Sequence, residues 1–180
     1  MMRFELPTGA ALERAREAYA ECEAADVLLR RTERTGPRVS ASKIYAAATT
    51  GESSVFIEGL LAASPSARAF LRRVVSANAL FTMPEAIAAS TAMPLARHGD
   101  GCRIRVERSR AEPDQFFVVV ELARQGEAAP PKSLVVCDAE DRCVRFPLPT
   151  VRNGIAQLIA DSDSVLLRLI GDPTTRVYLQ

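Results

Sequence analysis

The chain holds a single histidine and no tryptophan, its nine glycines are scattered, and none of its apolar runs approaches the thickness of a bilayer. Each shortage removes a class of function. A Ser-His-Asp or Cys-His mechanism would have to run through His98 alone, which sits in a polar, glycine-containing stretch. No serine stands in a Gly-x-Ser-x-Gly context. Neither Gly-x-x-x-x-Gly-Lys nor Gly-x-Gly-x-x-Gly occurs, so nucleotide chemistry lacks its phosphate-binding loop. The best apolar runs, Phe116 to Leu122 and Val165 to Ile170, are cut short by charge, and no membrane partner is expected. The opening Met-Met-Arg-Phe-Glu-Leu-Pro has neither a secretory nor a transit pattern. A cytoplasmic protein is expected, with Cys22, Cys102, Cys137 and Cys143 reduced.

Charge excludes a further class. The 23 basic and 22 acidic residues give a formal net charge of +1, and the balance holds within each half of the sequence. A polyanionic partner such as nucleic acid is therefore disfavoured. Only Lys43 and Lys132 among the basic residues are lysines, a bias that base composition explains more simply than a demand for bidentate arginine contacts.

What the chain does have is a core's worth of apolar residues, 48% of 180, arranged in two periods. After Thr8, the residues Leu12, Ala15, Tyr19, Cys22, Asp26 and Leu29 recur at spacings of three and four, one face of a helix. Glutamates lead this segment and Arg30, Arg31 and Arg34 close it, the order that the helix dipole favours. Gly36-Pro37 ends it. Val39 to Thr50 reads as a shorter helix closed near Gly51, and Val55 to Ala62 as a third. Ser64-Pro65 opens an amphipathic helix with Phe70, Leu71, Val74, Val75, Asn78 and Phe81 on one side and Arg68, Arg72 and Arg73 on the other. Thr82-Met83-Pro84-Glu85 matches a capping box before another helical turn.

Beyond about residue 93 the period becomes two. Cys102, Ile104 and Val106 alternate with Arg103, Arg105 and Glu107, a strand with one dry and one wet face. Phe116 to Val120 is continuously apolar, as in a central strand covered on both sides. Ser133 to Asp138 and Arg142 to Leu148 flank Ala139-Glu140-Asp141 and read as a hairpin. Ile155 to Ile159 fits a strand or a short helix, and Val165 to Ile170 with Thr175 to Leu179 reads as a last hairpin around Gly171-Asp172-Pro173-Thr174. The expected fold is α+β: a helical, bundle-like domain over residues 1–97, then an antiparallel, immunoglobulin-like β-sandwich over 98–180, with the boundary at His98 to Gly101.

Two groups of residues stand out as candidate sites. Arg103, Arg105, Arg108 and Arg110 concentrate positive charge along one strand and its exit, the best local case for binding a partner. Glu107 and Glu112 and the absence of interleaved exposed aromatics argue against nucleic acid there. Cys137 and Cys143 fall directly opposite each other if residues 139–141 form a three-residue hairpin loop, close enough for a redox-sensitive pair. A zinc site drawn from these cysteines, Cys102 and His98 lacks the Cys-x2-Cys knuckle. Asp161-Ser162-Asp163-Ser164 lacks the glycine and distal glutamate of a calcium loop. No metal, cofactor or catalytic residue is expected. The balance favours a non-enzymatic interaction, regulatory or adaptor protein whose partner is another protein; the alternative is an enzyme whose carboxylates and arginines converge only in three dimensions.

Overall fold

The structure, a computed structural model, describes residues 40–84, 96–123 and 129–180, together with Glu17, Ala20, Glu23 and Ala24. Those four are helical and exposed, and none belongs to the predicted Leu12 to Leu29 stripe. The stripe itself, Cys22, Gly36-Pro37 and Glu85 lie outside the described residues. The fold is mixed α+β, with two four-stranded antiparallel sheets, and the chain divides into two compact units, Met1–Phe70 and Leu71–Gln180.

In the first unit, α1 (Ala41–Thr50) ends where Gly51 adopts φ 78° and returns its N–H to the Ala47 carbonyl at 3.0 Å. Helix α2 (Val55–Ala63) starts at Ser54, whose Oγ accepts the Ile57 N–H. Helix α3 (Pro65–Ala77) starts at Ser64, whose Oγ accepts the Ala67 N–H at 3.2 Å. Each such cap contributes about 1 kcal/mol. Ala41, Ile44 and Ala48, one face of α1, are buried with Ile57, Ala67 and Phe70, whereas Val55 and Phe56 are exposed.

The second unit contains the last turns of α3 and both sheets. One sheet has the order β1-β8-β5-β6, from β1 (Phe81–Met83), β8 (Arg176–Leu179), β5 (Ser133–Cys137) and β6 (Cys143–Pro147). The other has the order β2-β3-β4-β7, from β2 (Ala96–Gly99), β3 (Cys102–Arg108), β4 (Gln115–Leu122) and β7 (Ile155–Asp161). A single apolar cluster draws Met83, Leu134, Val136, Val177 and Leu179 from the first sheet, and Ile104, Val106, Val118, Val120 and Ala156 from the second. Leu166 and Ile170 of α4 (Val165–Gly171) complete it. The opposite face of the first sheet is closed by α3: Leu71, Val74 and Val75 are buried, and the Gln180 side-chain amide donates to the Val75 carbonyl at 3.0 Å.

Several expectations need correction. Val165–Gly171 is a helix, not a strand: Ser164 Oγ accepts the Leu167 N–H, and Leu166 and Ile170, four apart, are the buried pair. Its seven apolar-rich residues are compatible with either period, and the serine cap decides between them. The partner strands of β8 are accordingly β1 and β5. Thr82 lies inside β1, pairing with Tyr178, and does not cap a helix, so a short strand stands within the first ninety residues. His98 and Gly99 belong to β2, whose hairpin with β3 turns at Asp100-Gly101, so this stretch is not a connector between units. Strand β4 is central, between β3 and β7, but its Phe117 side remains partly exposed instead of being covered on both faces. Residues 155–161 form a strand, entered through Asn153 (φ 52°) and Gly154 (φ 77°), the backbone pair of a two-residue hairpin turn.

Candidate interaction face

Antiparallel register determines which side chains meet on the outer face of the β2-β3-β4-β7 sheet. Arg103 stands between His98 and Glu121, with Ile155 beyond; Arg105 stands beside Val119; Glu107 stands beside Phe117, with Ile159 beyond. Arg105 is neutralised in place, ion-paired to Glu107 and, at 2.8 Å, to Glu121. With side chains about a third exposed, such pairs contribute only ~1 kcal/mol or less each. Arg103 is exposed and has no ion pair with any described residue. Among the apolar neighbours, Ile155 is 46% and Ile159 64% exposed. The face therefore offers one uncommitted cation bordered by aliphatic surface.

The four arginines predicted as one patch are not brought together. Arg103 and Arg105 share the outer face, and Arg108 lies at the strand end, where its Nε donates to the Pro113 carbonyl at 3.0 Å. Arg110 is exposed in the following loop. His98, the one histidine, is exposed on the same face, opposite Arg103.

The cysteine pair is placed as the spacing predicts. Cys137 and Cys143 are cross-strand partners 4.0 Å apart at Cα and are joined in a disulfide, which corrects the expectation of reduced thiols for these two. The loop between them carries out the predicted turn: the Asp141 N–H bonds to the Asp138 carbonyl, and Asp141 takes φ 61°. Asp138 carboxylate oxygens receive the Glu140 and Arg142 N–H groups and Arg142 Nε. Asp141 also forms an ion pair with Arg72 of α3. Burial opposes the Arg72 charge, but Tyr178 and Asp141 outweigh it and raise its pKa. Cys102, by contrast, is free and buried in the core; burial, with Asp100 nearby, pushes its thiol up to about 11.

Among the described residues, the most heavily bonded buried side chain is none of the predicted site residues. Arg97 faces inward from β2, opposite Ile104, and is 3% exposed. Its Nε donates to the Ile170 carbonyl at 2.9 Å and Nη1 to the Thr175 carbonyl at 2.7 Å. Nη2 donates to the Asp172 carbonyl and to Thr175 Oγ1. The Asp172 carbonyl also accepts the Thr175 N–H, whereas the Ile170 and Thr175 carbonyls are left by α4 and its turn to the guanidinium, which closes the helix end. Burial lowers the Arg97 pKa and the nearby Asp172 charge opposes that shift, yet the group stays protonated at any ordinary pH. One signal could have exposed it: Asp100-Gly101 is a hairpin turn dipeptide, and mirroring β3 across it puts Arg97 on the dry face.

Among the described residues, no three His, Cys, Asp or Glu side chains are grouped so as to hold a metal ion. None of their helices is long and apolar enough to cross a membrane. The Asp161 to Ser164 stretch is the turn into α4, with the Ser164 N–H bonded to the Asp161 carbonyl. Comparison with protein-family models, with curated proteins and with solved structures finds no match.

Proposed function

We propose that the chain is a non-enzymatic interaction or regulatory protein, an adaptor whose partner is another protein. The observation that carries this reading is the outer face of the β2-β3-β4-β7 sheet, where Arg103 is unpaired beside exposed Ile155 and Ile159. A solvent-facing sheet with aliphatic surface and a free guanidinium suits a protein surface that brings its own apolar anchor and carboxylate. Buried Arg97 is engaged with main chain and half-buried Arg72 with Asp141, which fits scaffold roles. The enzymatic alternative has less support: where an arginine and two carboxylates converge, at Arg105, Glu107 and Glu121 and at Arg142, Asp138 and Glu140, the groups lie on open surface where water screens them.

The finer architecture belongs to the same proposal. A helical N-terminal half is supported by three helices between Ala41 and Ala77, and an immunoglobulin-like sandwich by two four-stranded sheets sharing one apolar cluster. The test is affinity capture from the native cell extract with wild-type protein and with Arg103→Glu. A stoichiometric protein retained by the wild type and lost by the variant supports the reading. Turnover of a metabolite library by the isolated protein, with no protein retained, overturns it.

A further inference from the structure

A disulfide stabilises a fold most when it joins segments far apart in the chain. Cys137 and Cys143 have a sequence separation of only 6, and the hairpin that they close is held without them. The main-chain ladder from Ser133–Pro147 to Cys137–Cys143 joins β5 to β6, and β5 is paired on its other side with β8. At the turn, the Asp138 N–H donates to the Arg142 carbonyl at 3.0 Å, and the Asp138 carboxylate receives the Glu140 and Arg142 N–H groups. The S–S bond can therefore open and re-form while the hairpin stays folded.

Its two sulfurs differ in what lies behind them. Exchange requires a thiolate to approach one sulfur in line with the S–S bond, from the side away from the other sulfur. Behind Cys137 stands β8, with Arg176 as its register partner, and Cys137 is 0% exposed. Behind Cys143 no strand follows among the described residues: β6 is the outer strand of its sheet, and Cys143 is partly exposed. A small thiol reaches Cys143 from this open edge, whereas the sheet shields Cys137. Arg176 places a cationic residue beside the sulfur that departs, which stabilises the thiolate formed there.

We infer that the Cys137–Cys143 pair is a reversible thiol–disulfide exchange site for a small thiol of the glutathione class, with Cys143 the sulfur attacked and Cys137 the one that leaves. The thiolate forms a bond to Cys143 Sγ, the S–S bond breaks, and Cys137 departs with the electron pair and takes a proton from water. A second thiol then attacks its own kind at the mixed disulfide and frees Cys143. In sum, the protein disulfide and two thiols become two protein thiols and one small-molecule disulfide. In the reverse direction Cys137 resolves the adduct on Cys143 and restores the bond. The inference stands apart from the proposed adaptor role, since it involves a different sheet and needs no protein partner.

The test treats the full-length, reduced protein with oxidised glutathione at about pH 8, where thiols begin to ionise, then quenches in acid and locates the adduct by peptide mass spectrometry. Glutathione is expected on Cys143 at least about tenfold more than on Cys137, with the intramolecular disulfide as the end product. Excess reduced glutathione should open the bond again while the circular dichroism spectrum stays native. Among single variants, Cys137→Ser leaves the edge thiol and Cys143→Ser the shielded one, so native labelling with dithiobis(nitrobenzoate) should be slower in the second on the order of 100-fold. Adduct shared equally between the two cysteines overturns the inference, and so do equal labelling rates. A bond that resists reduction until denaturant unfolds the protein overturns it as well. The adduct position in the wild type decides the matter even where a serine variant does not fold.

Discussion

Replacing Arg97 with methionine tests whether the closure of α4 depends on one guanidinium. Methionine fills a similar volume and suits the apolar surroundings, so the loss is concentrated in four hydrogen bonds: to the Ile170, Asp172 and Thr175 carbonyls and to Thr175 Oγ1. Bonds from a charged donor contribute ~1.5–3 kcal/mol each, but much of that sum is offset by the cost of desolvating the guanidinium. What remains is the penalty of leaving the Ile170 and Thr175 carbonyls unpaired, since the Asp172 carbonyl keeps the Thr175 N–H, about 4 kcal/mol when one side of a buried charged contact is removed. For a chain of this length that corresponds to a fall in Tm of roughly 8–16 °C. Thermal and urea unfolding followed by circular dichroism measure the global change, and amide exchange over 165–179 reports the site itself. Arg97→Lys recovers less than half, because one ammonium cannot reach both the Ile170 and the Thr175 carbonyls. A methionine variant within about 1 kcal/mol of wild type, with exchange over 165–179 unchanged, refutes the argument.

Other perturbations follow from the same geometry. Reducing the Cys137–Cys143 disulfide, which closes a sequence separation of only 6, should cost about 2 kcal/mol of stability in denaturant titrations run with and without dithiothreitol. Cys102, with its thiol held near 11, should resist alkylation by iodoacetamide at neutral pH until denaturant is added; rapid native labelling would contradict its burial. The folded pKa of that thiol exceeds the unfolded one, so its contribution to stability is complete below about 9 and disappears as pH rises toward 11, which Cys102→Ala should abolish in a pH series of unfolding midpoints. Asp172 runs the opposite way: Thr174 donates from Oγ1 and N–H and holds the carboxyl below its usual value, so this stabilisation is present above pH 4 and lost in acid. Asp172→Asn should flatten the acid limb of the stability profile. Gly99→Ala should destabilise by ~1–3 kcal/mol in urea titrations, since its Cβ would meet the Thr82 carbonyl oxygen at 2.6 Å and Met83 Cγ at 2.9 Å.

How far the fold could be read in advance varied with the kind of signal. Strand β3 was legible because Cys102, Ile104 and Val106 obey a strict two-residue period with charge between them, and burial follows it residue by residue. The β5–β6 hairpin was legible down to register, because Asp138 to Arg142 combine turn chemistry with apolar runs on both sides. Helix α4 was misread since Val165 to Ile170 contains too few polar residues to mark a period, and the deciding feature is a single serine hydroxyl. Strand β1 was missed because three residues can belong to a sheet only through a partner nearly a hundred positions away. The arginine cluster dissolved for a related reason: neighbours in sequence share charge but not direction, and Glu121, from another strand, claims Arg105. No local pattern reports such a claim.

The placement of β8 governs the order in which this protein can be built. Phe81 pairs with Leu179 and Leu134 pairs with the same residue from the other side, so β1 and β5 have no common neighbour until β8 slides in between them. A nascent chain leaving the ribosome exposes β1 early and must hold it open while the whole second sheet is synthesised. Entry of Arg176–Leu179 is thus a late and cooperative step, slowed by the long span between partners. Deleting those four residues would strand β1 alone and leave the β5–β6 hairpin with a bare edge.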